Sequence, residues 1–306
     1  MRIRLVFLYI IMIVKEKIKE ANFENIEAFA SIAILGKRRT GKTTWAKYIL
    51  QFLKKKCNRY FVVCGNKDNQ VEWSKVVSPL FIFDKEKSMV ALERIRLYQE
   101  VKCSEYHDID ETIPVEDVLC VIFDDCGSDR KFMHSNLMKD LLSNGRHYGM
   151  FIIILSQYLN QMHAVNRDQL DYLGVLYTNN QKNITKIYEE YVNVCDRRTF
   201  NWVLLSLTTK RGMCWIDNTK TPTLVSDCVF HKKIPLPLNF VSVESRAVRD
   251  FAKLRYMSKE KQLQINDHRK TRDRVLKIDS GSDDEHLRND RNEYTDHKGT
   301  LVVYKL

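Results

Sequence analysis

The sequence predicts an α/β fold built on a mostly parallel β-sheet, and three observations carry that expectation. A short apolar run at 32–35 feeds a glycine loop, and a segment of helical spacing leaves it. A second apolar run, VLCVIFDDCG at 118–127, is continuous and ends in two carboxylates. Around these, apolar runs alternate with helix-spaced segments, which is the pattern of parallel strands joined by helices.

The glycine loop is Gly36-Lys37-Arg38-Arg39-Thr40-Gly41-Lys42-Thr43, followed by Thr44, and it fits G-x-x-x-x-G-K-S/T. Gly36 and Gly41 let the backbone curl until its N–H groups face inward, and the start of the following helix adds partial positive charge. Such a loop binds the phosphates of ATP. Lys42 is placed to reach the β- and γ-phosphates, and the Thr43 hydroxyl to ligate Mg²⁺. The bland alternative is a chance glycine turn. The flanking strand and the helical spacing of Trp45, Tyr48, Ile49 and Phe52 speak against it.

Composition narrows the class. The chain has 306 residues, enough for one large domain or two modest ones, and 44% of them are hydrophobic. The formal charge of +11 favours a polyanionic partner such as nucleic acid. Eight cysteines are scattered without a C-x-x-C pair, so no zinc site is expected. Cys64, Cys120, Cys126 and Cys214 lie in or beside apolar runs and read as small core residues of a reducing compartment. The apolar run Leu5 to Val14 is too short to span a bilayer. A packing strand or helix is the preferred reading, or an extension upstream of a start at Met12; a weak membrane anchor is the alternative.

Taken in order, residues 15–30 read as a leading helix and loop, the end of an N-terminal extension over 1–30. The lysines at 54–56 close the helix after the glycine loop, where cations suit its dipole; a DNA contact is the sharper reading. Strands follow at 59–66 and 79–84, a helix over 87–101 and an acidic loop over 104–114. The run at 118–127 then delivers Asp124 and Asp125 to a C-terminal sheet edge, where open α/β sheets bind ligands. Asp124 is expected to hold Mg²⁺ through a water, and Asp125 to orient or deprotonate the attacking water. A pair of Asp residues capping the next helix is the bland reading.

A helix is expected over 129–144, then a strand at 150–157 that presents Ser156 and Gln157, where a polar residue can contact the γ-phosphate or its water. Further strands read at 173–180 and 212–217, with a helix at 183–194 and a mixed segment, FNWVLLSL. Some eighty residues separate the two motifs, which leaves room for an additional strand between the two motif strands. An ATPase domain over 31–240 would then be followed by a charged tail over 241–306. Its first half, Arg246 to Lys277, carries eleven Lys/Arg against four Asp/Glu, a net +7; Ile278 to His297 carries two against seven, a net −5. The acidic half should be disordered. The basic half reads as a helix, a nucleic-acid-binding arm or a solvated tail.

Four stretches together carry a resemblance: AILGKRRTGKTTWAKYIL, VIFDDCG, NGRHYGMFIIILSQY and LGVLYTNN. Over residues 31–235 the chain resembles the poxvirus-type DNA-packaging ATPases of large cytoplasmic DNA viruses, within the FtsK–HerA superfamily. The resemblance implies a RecA-like P-loop core with an additional strand between the Walker A and Walker B strands. It also implies a hexameric ring that drives double-stranded DNA into a capsid, with capsid or membrane-associated portal components as partners and the host cytoplasm as the setting. In that family's pattern Arg146 resembles an arginine finger supplied to a neighbouring subunit's ATP, and Gln157 the polar sensor. Many relatives use Glu as the catalytic acid where this chain has Asp125. A nucleic-acid-dependent helicase, or a nucleotide or nucleic-acid kinase, is the other enzymatic reading. A scaffold protein that keeps the fold without turnover is the non-enzymatic one.

Overall fold

The structure, a computed structural model, describes residues 18–108, 111–235 and 237–256. The apolar N-terminal run and the acidic half of the tail lie outside the described residues. One compact unit extends through Arg255.

Eight strands form one sheet: β1 (Ser31–Leu35), β2 (Arg59–Cys64), β3 (Ile82–Asp84), β4 (Leu119–Asp124), β5 (Met150–Ser156), β6 (Tyr172–Val175), β7 (Gly212–Asp217) and β8 (Val229–Lys233). Their spatial order is β3-β2-β4-β5-β1-β6-β7-β8. The first six are parallel, and β7 alone runs against them, pairing antiparallel with β6 on one side and β8 on the other. The central strands are buried at every position, as a sheet covered on both faces requires. Alternation then sorts the side chains. Ala33, Leu35, Val121, Phe123, Ile152 and Ile154 join one core, and Ile32, Ile34, Cys120, Ile122, Ile153 and Leu155 the other.

The additional strand is present, and it is β5. It lies between β1 and β4, paired in parallel with both. The strands that precede the Asp pair in sequence, β2 and β3, do not fill the gap. The crossover from β1 passes over two positions and deposits them on the far side of β4. Once β4 is laid beside β2, the next strand completes the sheet from within.

Helix α1 (Lys42–Leu53) follows the glycine loop, and α2 (Lys67–Trp73) follows β2. Both cover the second core, where Trp45, Ile49, Leu53 and Trp73 are buried. The long helix α3 (Lys85–Asp108) runs through the start of the segment read as an acidic loop, because Gln99 and Cys103 are buried against the body. Only Ile82–Asp84 of the strand expected at 79–84 is extended; Pro79–Phe81 forms a 3₁₀ turn. The helix expected over 129–144 is two, α4 (Arg130–Met133) and α5 (Asn136–Asn144), because Ser135 caps the second through Met138 N. Four more helices are α6 (Ala164–Asp168), α7 (Gln181–Tyr191), α8 (Arg197–Leu207) and α9 (Val225–Cys228). The mixed segment FNWVLLSL belongs to α8, which buries Phe200, Val203, Leu204 and Leu207.

Both ends of the body reach further than composition suggests. Residues 18–30 hold no α-helix, only a 3₁₀ turn at Phe23–Asn25 and an isolated bridge between Glu20 and His231. The Phe23 ring lies in an aromatic cluster, 5.0 Å from Trp215 and 5.6 Å from Phe52. A tail beginning at 241 starts too early. Val243 N donates to Val76 O at 3.1 Å, Val243 and Glu244 are buried, and α10 (Arg246–Arg255) buries Ala252. Apolar and hydrogen-bonded anchors in an otherwise charged stretch fix it to the body.

Burial holds the Glu244 carboxyl above its ordinary range, against the opposing bonds from Ser78. A raised value means the folded chain binds this proton more tightly than the unfolded one. The resulting stability is complete below the unfolded value and is lost as pH rises through the folded one. Glu244→Gln removes that loss. The melting temperature of Glu244→Gln relative to wild type should therefore climb as pH rises above the ordinary carboxylate range, and level off once the folded carboxyl has ionised. A difference that stays flat as pH rises would show that the carboxyl is not perturbed.

Candidate nucleotide site

Because β1, β4 and β5 are parallel neighbours, their C-terminal ends converge on one edge. The loop Gly36–Gly41 leaves β1 there, with Gly36 N donating to Ser156 O at 3.2 Å. Gly41 sits at φ +91° directly before α1, a conformation open to glycine. Gly36 is required for a different reason: a Cβ there would lie 2.5 Å from Thr40 Oγ1 and 2.9 Å from Leu176. Arg39 takes φ +64°, while Thr40 Oγ1 donates to Lys37 O at 2.8 Å. Lys37 Nζ donates to Asn179 Oδ1, which ties the loop to the turn after β6. Arg38 and Arg39 are exposed; Thr43 and Thr44 begin α1 half-buried.

Lys42 folds back over the loop. Its Nζ donates to Gly36 O at 2.8 Å and Lys37 O at 3.2 Å. Burial lowers its pKa, with Arg38 adding to that, while Asp124 and Asp125 oppose it. Thr43 Oγ1 donates to Asp124 Oδ2 at 2.9 Å, so the glycine-loop helix and the acidic strand meet directly. Asp124 is 2% exposed. Its burial raises the carboxyl pKa, and the donors Trp73 and Thr43 work against that rise. Trp73 Nε1 donates to the same oxygen at 2.8 Å.

Asp125 differs in every respect. It is half-buried, sits in the left-handed region at φ +57°, and accepts a bond from Asn66 Nδ2 at 3.1 Å. Gly65 makes that turn possible, since a Cβ on it would stand 2.2 Å from Asp125 O. Gln157 lies at the end of β5 on the same edge. Its backbone N–H donates to Gln161 Oε1 at 3.0 Å, and Ser156 Oγ donates to that oxygen at 2.6 Å.

Arg146 is not brought to this edge. It lies in the turn before β5, at the opposite edge of the sheet, a strand of seven residues away, about 20 Å. Its guanidinium donates to Asp171 rather than to the carbonyls of α5, and its side chain is 62% exposed. The sequence also did not single out Trp73, Asn66, Gln161 or Asn179. Asn66 ends a Gly-Asn turn after a strand, the one local signal among them.

Among the described residues no group of three or more His, Cys, Asp or Glu side chains is arranged to hold a metal. The hard oxygens of Thr43 and Asp124, already in contact, fit a single Mg²⁺ that borrows the rest of its ligands from phosphate and water. Among the same residues no helix is long and apolar enough to cross a membrane.

The fold and this edge define a P-loop ATPase with an additional strand between its two motif strands. The chain belongs to the family described as Poxvirus A32 protein, whose model matches residues 16–232. It is 27% identical over 203 residues to the uncharacterized protein 075L of Invertebrate iridescent virus 6, covering 66% of this chain and 75% of that one. It is 26% identical over 204 residues to the uncharacterized protein 015R of Frog virus 3 (isolate Goorha), covering 67% of this chain and 61% of that one. Among solved structures, the genome packaging NTPase B204 from Sulfolobus turreted icosahedral virus 2 in complex with sulfate aligns with a TM-score of 0.50 at 15% identity. That alignment covers 69% of this chain and 99% of B204, and it is a likeness of fold.

The backbone at Asp125 dictates which substitution reads its chemistry. Asn tolerates the left-handed region, whereas Ala is strained there by about 1 kcal/mol. Asp125→Asn should melt with the wild type, and Asp125→Ala lower, by urea denaturation of the nucleotide-free protein. Equal stability of the two variants would contradict the φ assigned to Asp125.

Proposed function

We propose that this chain is the ATP-driven motor that moves double-stranded viral DNA into a capsid. The observation that carries the reading is the contact between Thr43 and Asp124 across an inserted strand that is followed directly by Gln157. Membership of the Poxvirus A32 protein family supports it, as does the fold shared with a protein described as a genome packaging NTPase. The net charge of +11 suits a DNA partner.

The chemistry is phosphoryl transfer from ATP to water. The inward N–H groups of Gly36–Thr44 receive the phosphates, and Lys42 exchanges its two carbonyl partners for phosphate oxygens. Thr43 and Asp124 would hold Mg²⁺, which when bound neutralises charge on those oxygens. Asp125, half-buried and turned toward Asn66, accepts a proton from the attacking water or orients it. Gln157 contacts the γ-phosphate from the end of β5. Arg146 stabilises developing charge in a neighbouring subunit's site, a role worth about 10³–10⁵ in rate. Its place on the far edge of the sheet suits action between subunits and not within one. A closed, hexameric ring satisfies that geometry. Its partners are capsid or membrane-associated portal components, and its setting is the virus factory in the host cytoplasm.

Lys42→Ala should abolish DNA-stimulated ATP hydrolysis and weaken nucleotide binding in a protein that still melts cooperatively. Persistent turnover in that variant would place the site elsewhere.

Arg146 is tested by mixing. Arg146→Ala and Asp125→Asn subunits are each expected to hydrolyse poorly. Combined, they should recover activity, because some interfaces then pair an intact Asp125 with a neighbour's intact Arg146. No recovery at any ratio would confine Arg146 to its own subunit, where its ion pair with Asp171 leaves it a role in stability alone.

A further inference from the structure

The buried carboxylate Asp124 is held from two sides, and only one of them belongs to the phosphate loop. Thr43 approaches from α1 and Trp73 from the end of α2, and both donate to Oδ2, at 2.9 Å and 2.8 Å. Two donors from two elements on one oxygen fix the plane of the carboxylate and therefore the direction of its other oxygen. The Trp73 ring is fully buried. Its position is set from behind by a strap of chain 165 or more residues away in sequence. Lys47 Nζ stands 5.7 Å from the Trp73 ring and 6.0 Å from that of Phe240, while donating to Glu72 O at 2.6 Å. Val76 N and Val77 N donate to Trp73 O at 2.9 and 3.0 Å. Val76 O in turn accepts from Val243 N at 3.1 Å and from Ser242 Oγ at 3.2 Å. Ser78 N donates to Glu244 Oε2 at 2.9 Å, and the Ser78 hydroxyl donates to the same oxygen. Gln51 Nε2, on α1, donates to Val241 O at 3.1 Å. Helix α10 begins immediately afterwards, at Arg246.

We propose that Trp73 is a positioning residue for Asp124 and that the strap Phe240–Ser245 sets where Trp73 stands, giving α10 a mechanical route to the catalytic edge. The inference rests on reading Asp124 as the metal-holding carboxylate. A tryptophan placed only for packing needs a partner for its N–H, but a backbone carbonyl would serve. Spending that donor on a buried carboxylate, whose desolvation it offsets, ties the ring to the chemistry. The strap is clasped by a second buried carboxyl group, Glu244, whose Oε1 has no hydrogen-bond partner among the described residues. The path from α10 through Glu244, Val76 and Trp73 to Asp124 is continuous, with a hydrogen bond or a short stretch of chain at each link.

The test replaces the indole of Trp73 in the full-length protein with benzothiophene, an analogue of the same shape that lacks the N–H. The variant should still unfold cooperatively but melt lower than the wild type, because the buried Asp124 has lost one of its two donors, and its affinity for a fluorescent ATP analogue without Mg²⁺ should stay at the wild-type value. Turnover should fall about 10- to 100-fold, the worth of a hydrogen bond to a charged group, and half-maximal rate should require more Mg²⁺. Unchanged turnover and unchanged Mg²⁺ dependence would overturn the role of Trp73. The clasp is cut with Ser78→Ala and Glu244→Ala together, which removes both side chains and leaves Ser78 N without its acceptor. This variant should move turnover and Mg²⁺ dependence the same way by a smaller factor. It should add less to the benzothiophene protein than to the wild type, since both act through one bond. Fully additive losses would show that the strap acts elsewhere. Asp124→Asn separates the two levels: if it hydrolyses ATP like the wild type, the reading of Asp124 fails and this inference with it, whereas loss there with a fully active benzothiophene protein sinks the Trp73 role alone.

Discussion

A charged group at the end of a strand that is otherwise sealed from water is the constraint on which this structure turns. β4 is buried at all six of its positions, and its last residue is Asp124. A carboxylate there is stable only if donors replace the water it has lost. The chain supplies one from each flanking element, Thr43 and Trp73, and keeps the Lys42 ammonium near by. Meeting that demand dictates much of the surrounding layout. α1 must begin close to β4, so the inserted strand between them has to end level with both. α2 must finish beside the carboxylate, and it is short for that reason, seven residues from Lys67 to Trp73.

The neighbouring Asp125 shows how one residue step changes the physics. It leaves the strand in a left-handed conformation and reaches a half-exposed place beside Asn66. One carboxylate is fixed and dry, the other adjustable and wet. The metal-holding and water-handling roles proposed for the pair need those two environments, and a single tight turn, permitted by the bare backbone of Gly65, provides both.

The sequence was most legible where a rule is local. The glycine loop, the long apolar runs before Asp124 and Ser156 and the paired carboxylates are patterns over a few residues, and each stands where its pattern places it, whereas the shorter strands expected at 79–84 and 173–180 are cut to Ile82–Asp84 and Tyr172–Val175. Strand order was legible only in kind. Spacing allows an additional strand, yet which strand fills the place depends on how far the crossover from β1 reaches, and no residue pattern records that distance. Trp73 and Asn179 were invisible because each acts through a contact with a remote segment, and Gln161 because its bonds to Ser156 and Gln157, though only five and four residues away, leave no pattern in a loop. The strap Phe240–Ser245 was hidden by its surroundings: a few anchors inside a charged stretch barely alter its composition. Arg146 was singled out by its place in a motif, but the sequence said nothing of Asp171, which occupies the guanidinium from just before β6.

The seven-residue β5 has a further consequence. It is bonded on both sides, to β4 and to β1, along its length. It cannot stretch or bend as a loop does, so the turn holding Arg146 and the edge holding Gln157 are the two ends of a ruler. In a ring of such domains the offset between a subunit's own nucleotide and the surface it offers its neighbour is set by a count of residues. Insertion of one residue would turn every following side chain onto the opposite face of the sheet, and insertion of two would lengthen the ruler by about 7 Å. In the proposed ring the surrounding loops could change length without altering that offset, whereas this one strand could not.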